Sequence, residues 1–313
     1  MTATSTDTYD QRGIREDLSN VIYNVDPSDT PFLSMAPKAK AKQTFHEWQT
    51  DEYAAVADNQ AIEGADATFT PSTGTTRVGN YTQISQKTAM ISGTLESTDR
   101  AGRDREMNYQ MLKRGVELKR DMEHSLVGVN NARAVGSATT PRELGSVQSW
   151  LATNGSVGGI GAAPAGDGTD ARTDGTQRPL TETLLETVID QIWASGGNPD
   201  TIMVGAFNKR AINGFLGRAT TTDHNVAART IFSAADVYKS DYGDLKIIPN
   251  RYVRARDALV YQKDKFAVAF LRNMVTKPIA STGDAEKRQV LVEYTLESRN
   301  EKASGIIADL TTA

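Results

Sequence analysis

The sequence predicts a protein of the α+β class, because its helical and extended segments occur in separate blocks rather than in regular alternation. Two runs rich in Thr and aromatic residues predict a long hairpin, and a long charged segment with an apolar stripe predicts a helix. A compact helix–strand–helix unit follows, and strand-like segments fill the rest of the chain. With 313 residues, the chain is long enough for one large or two medium domains.

The first block, residues 1–42, is polar and interrupted by prolines, and we predict that it forms an N-terminal arm. The segment "GIREDLSNVIYNV" predicts a short amphipathic helix. Pro27, Pro31 and Pro37 favour extended backbone after that helix. Phe32 and Leu33, which follow Pro31, form a short apolar cluster with it, and no helical or strand periodicity in this segment would bury the cluster.

The second block, residues 43–93, predicts an extended hairpin. The runs "QTFHEWQTDEY" and "RVGNYTQISQKTAMIS" have the composition of strands, and small polar residues separate them. Neither run alternates cleanly between apolar and polar residues, and a hairpin with little to bury is marginal in water. We therefore expect the hairpin to need another surface. We also expect its tip, residues 57–79, to be mobile in a free subunit and ordered in an assembly.

The third block, residues 94–140, predicts one long helix from about Leu95 to Val129. Apolar or small residues recur at steps of three and four: Met107, Met111, Gly115, Leu118, Met122, Leu126 and Val129. The opposite face is dense in charges of both signs, which is typical of a solvated face with i,i+4 pairs. The alternative is a surface that meets a charge-complementary neighbour. Gly115 suggests a close approach of backbone.

The fourth block, residues 141–272, begins with a Gly-, Ala- and Thr-rich segment that shows little helical or strand periodicity. Thr181 then predicts the N-cap of an amphipathic helix that ends before Gly196. "TIMVGA" has the composition of a buried strand, "FNKRAINGFLG" that of a second helix, and three strand-like runs come after it. The last block, residues 273–313, contains an alternating strand with Val290, Val292 and Tyr294 on one face.

Catalytic and cofactor motifs are missing from the sequence. It has no cysteine, and its three histidines share no helix-face spacing. The glycine-rich run "NGSVGGIGAAPAGDGTD" has Pro164 where a dinucleotide fingerprint needs its third glycine, so we interpret it as a flexible surface loop. We predict no cofactor, no metal and no enzymatic activity.

Charge and hydropathy restrict the partners. A net charge of −4 gives no positive electrostatic potential that would bind a phosphate backbone. We therefore predict that a nucleic acid, if present, lies near the protein without being bound tightly by it. No apolar run approaches the roughly 18 residues of a spanning helix, so we predict no membrane segment. The first residues have neither the basic nor the apolar region of a signal peptide.

The order of these blocks resembles that of the tailed-bacteriophage major capsid protein, the HK-ninety-seven-type fold, over essentially the whole chain. "DPSDTPFLSM" resembles the junction of an N-arm with the body, and "GNYTQI" to "ISGT" resembles an E-loop returning to a spine helix. "NPDTIMVGAFNKRAINGF" resembles the axial-domain core, and "VEYTLESRNEKASGII" resembles the closing strands of a peripheral domain.

The resemblance implies a fold with an N-terminal arm (1–42), an E-loop (43–93), a spine helix with peripheral domain (94–140), an axial domain (141–272) and closing peripheral strands (273–313). It implies pentamers and hexamers in a closed icosahedral shell that encloses double-stranded DNA without reading its sequence. A portal, with or without scaffolding or decoration proteins, would be the other partner, and assembly in the host cytoplasm would yield the virion capsid. The expected intersubunit contacts are Pro31, Phe32, Leu33, Trp48, Arg77, Arg103, Arg105 and Glu106.

The sequence leaves two alternatives open. An encapsulin-like bacterial nanocompartment would share the fold but enclose protein cargo. An α/β enzyme with an unrecognised site would form a small oligomer with a defined pocket. About forty arm residues at roughly 3.3 Å each can reach more than 100 Å, against a radius of gyration of about 20 Å for a compact chain of this length. That reach favours a subunit that contacts its neighbours.

Overall fold

The computed structural model describes residues 29–64, 66, 69, 74–98, 105–215 and 236–313. The helix predicted within residues 13–25 and the contact predicted for Arg103 lie outside these ranges. No helix in the described ranges combines the length and the apolar character that a membrane crossing requires.

Five α-helices and twelve β-strands make up the described regular structure. The helices are α1 (Pro31–Met35), α2 (Gly93–Ser97), α3 (Glu106–Glu123), α4 (Glu182–Ala194) and α5 (Ala206–Asn213). The strands are β1 (Lys38–Lys40), β2 (Phe45–Thr50), β3 (Thr76–Tyr81), β4 (Gln83–Ser92), β5 (Gly155–Ser156), β6 (Thr201–Val204), β7 (Val237–Ser240), β8 (Gly243–Pro249), β9 (Ala258–Tyr261), β10 (Phe266–Ile279), β11 (Ala285–Ser298) and β12 (Gly305–Ile307).

The strands form three sheets. A four-stranded sheet has the order β1-β10-β11-β4, a six-stranded sheet has the order β5-β12-β9-β6-β8-β7, and β2 pairs with β3 alone. The six-stranded sheet takes up β12, and β10 runs through position 272. The boundary predicted at 272/273 therefore does not follow the sheets. The predicted strand around Val290 is confirmed as β11, where Val290, Val292 and Tyr294 are buried.

The apolar stripe of α3 is core, as predicted. Met107, Leu118 and Met122 are each at most 1% exposed, and the helix packs against β4 and β11. Leu126 belongs to the same core but lies in the π-helical turn His124–Gly128 that continues from α3. A Cβ added at Gly115 would meet no atom within 4 Å, so none of the residues that the structure describes makes the predicted close backbone approach.

The predicted single helix from Leu95 to Val129 is wrong, because α2 ends at Ser97 and α3 begins only at Glu106. The Ser97 hydroxyl donates to Gly93 O at 2.9 Å, and the Thr98 hydroxyl donates to Leu95 O at 2.9 Å. Such side chains offer the backbone an alternative to helical hydrogen bonds. The helix stops there, and Thr98 and Arg105 both have extended φ and ψ.

The helix–strand–helix unit forms as predicted. The Thr181 hydroxyl accepts from Leu184 N at the start of α4, and Gly196 has a φ of +84° just after its end. The strand β6 is buried at all four positions. It lies between β8 and β9, so the second core is built from α4, α5 and one face of this sheet, while Met203 and Leu259 on the opposite face belong to the first core.

The segment after residue 28 is folded rather than extended. Pro31 is the first residue of helix α1, a position where a missing N–H costs nothing, so its predicted extended backbone is wrong. After α1, strand β1 pairs in parallel with Val268–Phe270 of β10. The end of the predicted arm therefore belongs to the four-stranded sheet of its own subunit.

Candidate assembly surface

A buried carboxylate fixes the point where the N-terminal segment meets the body. Glu123, at the end of α3, is 0% exposed, and it accepts hydrogen bonds from Phe32 N and Leu33 N, both at 2.8 Å. Asn250 Nδ2 donates to the same carboxylate at 2.6 Å. Burial raises the pKa of Glu123, and these three hydrogen bonds oppose that rise. The carboxylate thereby serves the free amides at the start of α1.

The Phe32 side chain lies in the subunit's own core. It is 1% exposed, and its ring centroid is 5.9 Å from that of Tyr261 and 6.2 Å from that of Phe266. It therefore has no surface left for a neighbouring subunit, and the predicted intersubunit contact of Phe32 is wrong. Pro31 and Leu33 are only partly buried, and Leu33 packs at the edge of the same core.

The root of the β2–β3 hairpin is fixed to the body through its aromatic residues. Trp48 Nε1 donates to Ser298 O at 2.7 Å, and the Trp48 ring lies 5.3 Å from that of Trp150. His46 Nε2 lies 3.1 Å from Glu297 Oε2. The hydrogen bond with His46, followed by that with Arg299, lowers the pKa of Glu297 against the opposing effect of burial. Trp48 thus contacts its own subunit.

Asn80 holds the second strand of the hairpin. Its Oδ1 accepts from Gly145 N at 2.8 Å, and its Nδ2 donates to Leu296 O at 3.0 Å and to Gly145 O at 3.1 Å. Asn80 is 0% exposed, so each of these bonds is shielded from water. The hairpin therefore rests on its own subunit at its root, which was not anticipated from the sequence.

Beyond residue 50, the described residues of the hairpin carry large apolar side chains that the subunit leaves exposed, and Glu52 Oε1 lies 2.7 Å from Lys302 Nζ of the body. Paired strands end at Thr50 and resume at Thr76, so the predicted tip of 57–79 is corrected to 51–75. Tyr53 and Val56 are fully exposed, Phe69 is 95% exposed and Ile62 is 83% exposed. Soluble monomers seldom project several large apolar side chains into solvent without using them in a contact.

The outer face of α3 combines exposed apolar residues with charges of both signs. Leu112 is 74% exposed and Val116 is 42% exposed, one helical turn apart. Arg114 lies 2.6 Å from Glu117 on the same helix, and Lys87 of β4 lies 2.7 Å from Asp121. Such surface pairs contribute little to stability. This face is thus an ordinary charged surface that also carries two unburied apolar side chains.

The remaining predicted contact residues differ in what they expose. Arg77, in β3, is exposed, and its guanidinium binds both oxygens of Glu47 at 2.6 and 2.8 Å. Arg105 is exposed directly before α3, whereas Glu106 is 5% exposed in the first turn of that helix. The buried carboxylate of Glu106 is not placed to meet a neighbour. In the described ranges, no three His, Asp or Glu side chains form a group that could hold a metal ion.

Three comparisons relate the chain to known proteins. The family model described as "SU10 major capsid protein" matches residues 1–311. The major capsid protein of Escherichia phage Phieco32 is 29% identical over an alignment 338 positions long, which covers 96% of this chain and 95% of that protein.

Solved structures share the fold at low sequence identity. The capsid asymmetric unit of cyanophage A-1(L) has a TM-score of 0.66 at 13% identity, over 97% of this chain and 98% of that one. The capsid of a native GTA particle has a TM-score of 0.63 at 10% identity, over 95% and 96%. The chain from Mycobacterium phage Adephagia has a TM-score of 0.60 at 11% identity, over 96% of each.

Proposed function

Since the chain belongs to the SU10 major capsid protein family, we propose that its hairpin tip, residues 51–75, joins neighbouring copies in a bacteriophage shell. The family is one of structural capsid subunits, not of enzymes. The full-length match favours this reading over an encapsulin-like compartment and over an α/β enzyme. Many copies of the subunit make up such a shell.

The observation that carries the proposal is the contrast between the two ends of the hairpin. Its root is held by Trp48 and Asn80, while its tip projects Tyr53, Val56 and Phe69 into solvent. About twelve residues in each direction, at roughly 3.3 Å per residue, reach about 40 Å from the root. That distance is comparable to the diameter of a compact chain of this size, so the tip can contact a neighbour's body.

The wider assembly follows from the same proposal. We infer that copies group into pentamers and hexamers of a closed icosahedral shell around packaged double-stranded DNA. A net charge of −4 suits a wall that encloses DNA without binding its sequence. A portal, with or without scaffolding or decoration proteins, would complete the particle, which would assemble in the host cytoplasm before it becomes the virion capsid.

The predicted division of the chain remains part of this proposal: arm, E-loop, spine helix with peripheral domain, axial domain and closing strands. The four-stranded sheet with α3 supports a peripheral domain, and the six-stranded sheet with α4 and α5 supports an axial domain. Pro31, Leu33, Trp48, Arg77 and Arg105 stay candidates for intersubunit contact because each keeps some exposed surface.

The test replaces the four exposed apolar residues of the tip together: Tyr53→Ser, Val56→Ser, Ile62→Ser and Phe69→Ser. None of these side chains is buried in the subunit, so we expect an unchanged thermal midpoint. We also expect the yield of closed particles to fall at least tenfold, measured by size-exclusion chromatography and negative-stain electron microscopy. Wild-type particle yield from this variant would contradict the role of the tip. The matched control, Thr75→Ser, changes the same loop without removing a large apolar group.

A further inference from the structure

A strained isoleucine stands at the tip of the glycine-rich loop. Gly161 N donates to Gly158 O at 3.0 Å, which closes a four-residue turn. Ile160, the third residue of this turn, has a φ of +62°. Turns with a positive φ at this position favour Gly or Asn, and a β-branched residue there is a genuine conformational outlier. The sequence has glycine on both sides of the strained position but not at it.

The turn lies in the loop that the sequence predicts to be flexible, and its backbone is in close contact with Gly175 and Thr176. A Cβ at Gly158 would clash with Thr176 O, and one at Gly175 would lie 2.7 Å from Gly158 O. Thr176 N donates to Gly159 O at 2.8 Å, which joins the two arms of the loop. The backbone packing therefore leaves little freedom for the turn to relax.

A buried ionic network supports this packing. Asp309 accepts from Gly158 N at 3.0 Å, and Arg256 Nη2 donates to Asp309 Oδ1 at 2.8 Å and to Gly175 O at 2.7 Å. Arg172, which is 0% exposed at its side chain, lies 3.3 Å from Asp309 and 2.8 Å from Asp257. The loop is thus hydrogen-bonded to charged groups, Asp309 and Arg256, whose positions are fixed by their ion pair with each other and by that of Asp309 with Arg172.

The Ile160 side chain contributes nothing visible to the fold of the subunit. It is 90% exposed, so it buries almost no apolar surface on its own chain. Glycine at this position would remove the unfavourable left-handed isoleucine backbone. Folding alone therefore gives no reason for isoleucine, and strain of this kind is typical of sites used in function.

Resting on the proposed shell function, we propose that Ile160 inserts into an apolar recess on a second copy of this chain. The occupant is a second copy because the shell of this family is built from copies of the subunit. Residues 158–165, "GGIGAAPA", carry no charge, which suits an apolar protein surface and not DNA. Because the backbone contacts hold the turn in one conformation before docking, the Ile160 side chain loses little entropy when it binds, which favours a contact that is repeated throughout a shell.

The first experiment separates folding from assembly with variants at this one position. Ile160→Gly and Ile160→Asn accept the left-handed backbone, so the thermal midpoint of the subunit should stay unchanged or rise. The subunit concentration needed for assembly should rise roughly tenfold to a hundredfold, as expected for one lost apolar contact per interface. Ile160→Val, the matched control, should assemble nearly as the wild type does. Assembly of the Gly and Asn variants at the wild-type concentration would overturn the inference.

The second experiment exploits the absence of cysteine in the chain. Ile160→Cys carries the only thiol, so maleimide labels this position alone. We expect fast labelling of free subunits and at least tenfold slower labelling in shells whose only polypeptide, checked on a denaturing gel, is this chain. Equal rates in both states would overturn the inference while leaving the shell function intact. If the wild-type chain forms no shells at all, the proposed function itself fails.

Discussion

Replacement of Phe32 by alanine distinguishes a core residue from an assembly contact. Phe32 follows a proline and precedes a Lys- and Ala-rich run, a context that suggests a docking segment. In the structure, its ring packs against Tyr261 and Phe266 and is 1% exposed. Phe32→Ala would therefore open a cavity beneath α1, next to the buried carboxylate of Glu123.

The expected loss follows from the size of the cavity and of the chain. Phe-to-Ala changes in protein cores cost about 3 to 5 kcal/mol. An unfolding entropy of about 2.1 cal/mol/K per residue converts that loss into a fall of about 5 to 8 °C in the thermal midpoint for a chain of 313 residues. A residue that served only as an intersubunit contact would leave the midpoint of the free subunit unchanged.

Thermal unfolding of the unassembled subunit, followed by tryptophan fluorescence, measures this loss. Tyr53→Ala is the matched control, because it removes an aromatic ring that is fully exposed and should cost less than about 0.5 kcal/mol. A midpoint for Phe32→Ala within 1 °C of the wild type would refute the core assignment. The same reasoning predicts that deletion of residues 1–35, which removes Phe32, destabilises the subunit.

Three further predictions concern α3 and the ionic network. Met122→Asp places an unpaired charge in the core and should abolish folding; a soluble, cooperatively melting subunit would contradict this expectation. Gly115→Ala adds a methyl group to open space inside a helix and should stabilise the subunit by about 0.5 to 1 kcal/mol in urea unfolding, so a loss of stability would count against the described packing. Burial raises the pKa of Asp257 to about 6 from 3.8. Its contribution to stability is therefore present at low pH and is lost as the pH rises from about 4 to above 6. The unfolding free energy of the wild type relative to Asp257→Asn should fall over this range by up to about 3 kcal/mol, and a pH-independent difference would contradict the raised pKa.

The sequence by itself determined the elements whose pattern is local. The stripe of α3, the Thr181 cap of α4 and the alternation of β11 each follow from residues within one or two turns or a few strand positions. The order of the blocks was enough to indicate the capsid fold, because each block has a length and composition that suit one element.

The tertiary structure decided whatever depends on partners distant in the chain. The amides of Phe32 and Leu33 meet the Glu123 carboxylate across about ninety positions, so an apparent arm segment becomes core. The break between α2 and α3 arises from side chains that compete for backbone carbonyls, an outcome that averaged helix propensity does not resolve.

For the candidate assembly surface, too, the sequence indicated some features and only the tertiary structure decided others. The composition of the hairpin tip already indicated a segment with nothing to bury at home, and its exposed side chains agree with that expectation. The buried pairs of Arg172 with Asp257 and Asp309 join positions 85 and 137 residues apart. Local periodicity carries no information about such pairs, because only the folded chain decides which charges leave water together.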